Sequence, residues 1–202
     1  MNNPPNYTKA TNTAYDILIK YNEFSFPIGI FSVIRKIKNI RLHTYTELAE
    51  KMNVSFNKLI TDIAPSCYGF TVFYESNDRY IIYYNESKDD TTVRFTLAHE
   101  LGHIVLKHRE DGDVENKEAN CFARNYLCPI PVVKEMNLCS INDYTELFYV
   151  SEPMAKVSID FKNYDLRNIS TNTFNTYNDS VMLAMNGITP IDLYGYNYGY
   201  YL

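Results

Sequence analysis

At 202 residues the chain is long enough to bury a real core, and it reads as one domain or one domain with a small appendage. A net charge of −5, with no long run of one sign, excludes a general attraction to nucleic acid or to acidic membranes. The 19 tyrosines, set against no tryptophan, fit a coding bias better than a function.

The start, Met1 to Tyr7, has neither a basic nor an apolar signal region and is expected to be a disordered lead rather than a secretory leader. No apolar run approaches the roughly 18 residues of a membrane span. Cys67, Cys121, Cys128 and Cys139 show no C-x-x-C spacing, and Cys121 and Cys128 suit buried free thiols on one helix. These features predict a cytoplasmic protein.

In chain order, Ala10, Ala14, Ile17 and Leu18 predict a first amphipathic helix over 8–21, ended before Pro27. A second helix over 29–38 carries Ile30, Val33, Ile34 and Ile37 opposite a basic side, and His43 is expected to be solvent-facing on a basic surface helix. A third helix follows over 44–53, capped by Thr44, and then a short one through Leu59 and Ile63. This pair has a helix-turn-helix cadence, but Lys58 is all its second helix offers to DNA. Residues 68–75 and 79–86, rich in aromatic and β-branched side chains around Ser76-Asn77-Asp78, predict an antiparallel β-hairpin.

A helix over about 91–108 comes next, with Asp90 or Thr91 as its cap, and then the acidic loop 110–113. A second helix spans about 114–128, stopped by Pro129, and its Ala119 and Ala123 permit close packing on a neighbour. A helical turn over 132–136 and a helix pair over 142–149 and 151–163 complete the domain, taken as 8–166. The remainder, 167–202, is an Asn/Tyr/Gly-rich extension of a composition that can stack or stay disordered, with a weak helical run at 181–185.

Chemistry concentrates in the first of the two central helices, where His99-Glu100-x-x-His103 has the H-E-x-x-H pattern of zinc hydrolases. Side chains four apart on a helix lie one above the other, so both imidazoles can share one cation. Glu100 can then act as general base toward a water on that cation. Thr96 and Gly102 shape the helix, the glycine admitting another backbone. Catalytic zinc takes three protein ligands. No later histidine stands at the His-x-x-Gly-x-x-His spacing, and His108 would lie roughly 140° round a continuing helix from His103, facing elsewhere. A carboxylate from the following helix remains, with Glu115 and Glu118 as contenders.

The segments Arg94–Leu106 and Glu118–Pro129, with Ala119-Asn120-x-Phe122-Ala123 and Leu127-x-Pro129, resemble the ImmA/IrrE-type metallopeptidases, the likeness running from about Ala10 to Leu166. The resemblance implies an α+β fold: a mostly helical, zincin-like domain with a small antiparallel sheet before the H-E-x-x-H helix. It implies a Zn2+-dependent endopeptidase in which His99 and His103 hold the metal, Glu100 is the base and a glutamate completes the site. It also implies a protein substrate, a helix-turn-helix repressor of a mobile element or stress regulon. The family's ligand glutamate stands three residues before the alanine of Ala-Asn, where this chain has Asn116. The displaced register favours Glu115 as third ligand, with Glu118 as the alternative, and Asn120 as a hydrogen-bond partner of a ligand. Two other classes stay open: a non-catalytic antirepressor with a metal site, and a DNA-binding regulator using 44–63 or 142–163.

Overall fold

The structure, a computed structural model, describes residues 4–110 and 112–186. Residues 1–3, Asp111 and the tail from 187 to 202 lie outside the described residues, and so does what the sequence led us to expect of the first three residues and of that tail.

The architecture is mostly helical with one small mixed sheet. Its elements run α1 (Tyr7–Lys20), α2 (Ile30–Lys36), β1 (Ile40–Thr44), α3 (Tyr45–Met52) and α4 (Phe56–Lys58), the last continuing as a wider π-type turn over Leu59–Ile63. Then come β2 (Gly69–Tyr74), β3 (Arg79–Tyr84), α5 (Asp90–Leu106), α6 (Asp113–Leu127), α7 (Ile130–Glu135), α8 (Ile141–Phe148), α9 (Glu152–Asn168) and α10 (Thr171–Met185). The predicted hairpin is β2 against β3, antiparallel, with Thr71 opposite Ile82. The sheet is not wholly antiparallel, however. Residues 40–44 form a third strand, parallel to β3, which makes the order β1-β3-β2. His43 therefore stands on a strand, not on a surface helix; Ile40 and Leu42 alternate with Arg41 and His43, a period of two too short to stand out beside the basic helix before it.

The two faces of the sheet bury different layers. Ile40, Leu42, Tyr80, Ile82 and Tyr84 join the main core with α1, α2, α5 and α6. Ile81, Tyr83, Phe70 and Val72 pack on Tyr45, Ala49 and Leu59, so α3 and α4 cover the opposite face. The helix pair with the helix-turn-helix cadence is thus a packing layer. Its outer side mixes exposed Glu50 and Lys51 rather than forming a basic stripe.

Other boundaries differ in instructive ways. Asn6 caps α1 by accepting the Lys9 N–H, so Asn6 and Tyr7, read as part of a lead, open the first helix instead. Asp89, not Asp90 or Thr91, caps α5 through the Thr92 N–H, and its carboxyl is held well below the usual range by the Thr91 and Thr92 hydrogen bonds. Helix α9 runs on to Asn168, and α10 buries Tyr177 and Val181 in the main core. Cys121 and Cys128 are buried free thiols, pushed by burial up to about 11 and about 12 respectively.

Two close approaches position the centre. A Cβ on Gly102 would stand 3.3 Å from the Ala119 backbone and 3.0 Å from the Phe122 ring, so α5 and α6 pack at nearly backbone distance. A Cβ on Gly69 would fall 2.6 Å from Thr96 Cγ2 and 2.9 Å from the Tyr83 carbonyl, so only glycine lets β2 lie this close to α5. The Arg94 guanidinium, at the base of α5, donates to the carbonyls of Ile28, Phe148 and Tyr149 and ties α5 to two other parts of the chain.

Candidate active site

His99 and His103 project from one face of α5 as their spacing requires, with Nε2 to Nε2 only 3.0 Å apart. Two tetrahedral ligands at 2.0–2.1 Å from one zinc would be separated by about 3.4 Å. The pair is therefore close to the geometry of a shared ion, slightly compressed. Glu100, one residue along, points toward the sheet, where Thr71 Oγ1 donates to its Oε2 at 2.7 Å. Asn120, expected to hydrogen-bond a ligand, holds its Oδ1 2.9 Å from His99 Nδ1, brought there by the Gly102–Ala119 approach of the two helices.

His108 is the surprise. The prediction that it faces elsewhere assumed a helix continuing past it, but α5 ends at Leu106. Lys107 takes a left-handed conformation (φ 63°), and the His108 N–H returns to the His103 carbonyl. That Schellman-type ending folds the His108 ring back, with Nδ1 3.1 Å from His103 Nδ1.

The contenders for a third ligand are placed apart from the imidazole pair. Glu118 bonds His108 through Oε2 at 2.9 Å and accepts the Asn6 N–H through Oε1 at 2.6 Å. Glu115 folds over the start of its own helix, with Oε2 against Gly112 in the space a Cβ there would take. Neither glutamate lines the cleft that holds the two histidines, whereas Asn116 does. Asn116 and Asn120 are four residues apart and share a helix face; Glu115 is about 100° away. Among the described residues no group of three or more His, Cys, Asp or Glu converges on a point that a metal could take. The donor chemistry thus fits a metal through two imidazoles, with no third acidic ligand beside them among the described residues.

The cleft measures about 1050 Å³ and runs from β2, along the exposed side of α5, to the start of α9. Its walls combine Tyr68, Thr71 and Phe73 on one side with Arg124, Met154 and Val157 on the other. Behind it, burial and then the Glu100 charge push the Tyr45 hydroxyl above the ordinary tyrosine range. It remains a neutral donor, bonded to the Ser66 carbonyl at 2.6 Å. Arg124 leaves the cleft floor to pair with buried Asp165 through two bonds of 2.6 and 2.7 Å, beneath the Phe161 ring.

Against known families, residues 67–160 match the Peptidase_M78 model, described as the IrrE N-terminal-like domain. This segment belongs to the ImmA/IrrE-type family. It includes β2, β3, α5 to α8 and the first half of α9, and hence Thr71, His99, Glu100, His103, His108, Asn116, Glu118 and Asn120. The coarse class that follows for the IrrE-like segment is peptidase, a hydrolase. No curated protein and no solved structure matches the chain.

Two residues of the centre were not foreseen. Thr71 reaches Glu100 only through strand register, which local sequence does not encode. His108 carried a usable signal, a histidine just past a helix end, but its orientation depends on an αL turn at a lysine.

Proposed function

We propose that the protein is a zinc-dependent endopeptidase that cleaves a protein substrate bound in the cleft between β2 and α5. The observation that carries this reading is the convergence of the His99 and His103 Nε2 atoms beside Glu100 on one helix. When bound, zinc would be held by His99 and His103 and would supply a water with a pKa of about 7. Glu100 takes a proton from water and returns it to the leaving nitrogen, and its bond from Thr71 fixes the carboxylate toward the cleft. The substrate side is supported by β2, an edge strand paired on one side only among the described residues. An extended peptide can add its own backbone hydrogen bonds along such an edge. The family resemblance supports a helix-turn-helix repressor as the protein cleaved.

Asn116 favours a second reading. An amide stands where the family carries a ligand carboxylate, which suits a protein that captures its repressor without cutting it.

Incubation of the zinc-loaded protein with a peptide library, read by mass spectrometry, tests the first reading. Cleavage by the native protein that is lost in Glu100→Ala, with zinc content retained, is the expected result. Undiminished cleavage by that variant would remove Glu100 as base. Co-expression with helix-turn-helix repressors separates the readings, since an intact repressor in a tight complex favours capture.

A further inference from the structure

We propose that Arg109 reads an acidic side chain of the peptide substrate, an Asp or Glu that lies second or third from the cut bond on one side of it. The inference rests on the peptidase reading above and names a feature of the substrate that the same cleft takes.

Two arginines line the cleft among the described residues. Arg124 is committed, since its guanidinium holds buried Asp165 through two short bonds. Arg109 is exposed and makes no ion pair or hydrogen bond among the described residues; its neighbour Glu110 lines the same rim without pairing with it. The guanidinium carbon of Arg109 stands instead 4.8 Å from the centre of the Phe73 ring. That attraction is to the face of the ring and uses no N–H. All five donors therefore stay available for a carboxylate, which a guanidinium can grip through two parallel bonds.

The guanidinium is placed from two sides. Phe73 is the register partner of Tyr80 on β3, and the two rings stack with centroids 4.5 Å apart. Lys107 turns the chain left-handed at the end of α5, and the His108 N–H returns to the His103 carbonyl. The next residue, Arg109, is thereby carried back to the cleft rather than onward along the helix axis. Thr71 and Phe73 are two residues apart on β2 and share a face. Thr71 is bonded to Glu100 at the reacting centre, and Phe73 with its guanidinium lies about 7 Å further along the strand. A peptide paired to the outer edge of β2 keeps the same step and the same alternation. Its residue opposite Thr71 borders the cut bond, and the one opposite Phe73, two residues on, turns to the same side and meets Arg109.

The test uses the full zinc-loaded chain and acetylated, amidated decapeptides in which one position at a time is Glu, Gln or Lys on a randomised background. Cleavage read by mass spectrometry should favour Glu over Gln by about twofold to fivefold, the range of an exposed ion pair, at one position second or third from the cut. The difference should lie in KM rather than kcat, because the contact is equal in the ground and transition states. The preference should vanish in Arg109→Met and turn to Lys over Glu in Arg109→Glu, a reversal that loss of a merely structural contact would not produce. Arg109 is exposed, so both variants should melt with the native protein. Equal cleavage of Glu and Gln peptides by the native protein, or a preference untouched in Arg109→Glu, would overturn the proposal. A preference seen only with a free C-terminus would assign the carboxylate to the chain end and overturn it too. If no peptide is cut, the endopeptidase reading fails by itself, and fluorescence anisotropy of the same peptides, labelled, then tests Arg109 by binding alone. Tighter binding of Glu than Gln, reversed in Arg109→Glu, supports Arg109 as the reader of an acidic segment, and binding indifferent to the substitution overturns it.

Discussion

Thr71 and Glu100 join the sheet to the helix at the centre: the hydroxyl donates to Oε2 across 2.7 Å. The contact exists because Thr71 sits on the α5 side of β2, opposite Ile82, and because Gly69 lets the strand approach Thr96. A hydrogen bond to a charged group contributes about 1.5–3 kcal/mol. Thr71→Val, nearly isosteric, should therefore lower kcat by roughly 10–100-fold with zinc content and thermal stability little changed. Steady-state kinetics on a cleaved peptide checks this, and an unaltered kcat would mean the bond does not orient the base.

Asn116 makes a second expectation, about the metal. It lines the cleft with both histidines, and its Nδ2 donates to the Gly112 carbonyl at 3.0 Å. Its amide is neutral, so a carboxylate at this position adds a charged oxygen ligand of the kind zinc sites use. Asn116→Glu should raise Zn2+ affinity by on the order of tenfold or more, while Glu115→Ala should leave it unchanged. Chelator competition on the purified variants decides the matter. Loss of zinc in Glu115→Ala would show that this glutamate leaves Gly112 to reach the metal.

Asp165 gives a prediction about stability alone. Its carboxylate is 1 % exposed and takes two bonds from Arg124, itself 9 % exposed. Removing one partner strands the other charge away from water. Asp165→Ala should cost about 3–5 kcal/mol, measured by urea unfolding. Arg124→Met with Asp165→Leu should recover much of that loss, since the cost lies in the unpaired charge. A single variant as stable as the native protein would show that water reaches the pair.

Much of the site was legible because its logic is local. The spacing of His99 and His103 needs only a helix, and Leu97, Leu101 and Ile104 provide one by burying its opposite side. Ala119, Gly102 and Asn120 could be read as a close helix contact with a polar partner, since small residues at helical spacing act through their own size. The phase of α6 was equally available: Asn116 shares a face with Asn120, so the cleft-lining position could be assigned before any coordinates. Strand β1 was harder, because five residues carry too few alternations beside a basic helix.

The sequence by itself determined the helix that holds His99, Glu100 and His103, the hairpin before it, and the family likeness that residues 67–160 then matched. All of these depend on periodicity, or on residues within a turn or two of one another. Only the tertiary structure decided what surrounds that helix. The αL turn at Lys107 brings His108 onto His103, the sheet register brings Thr71 onto Glu100, and the packing of α1 brings Asn6 onto Glu118. Each is a contact between groups placed by backbone geometry and packing that no local pattern encodes.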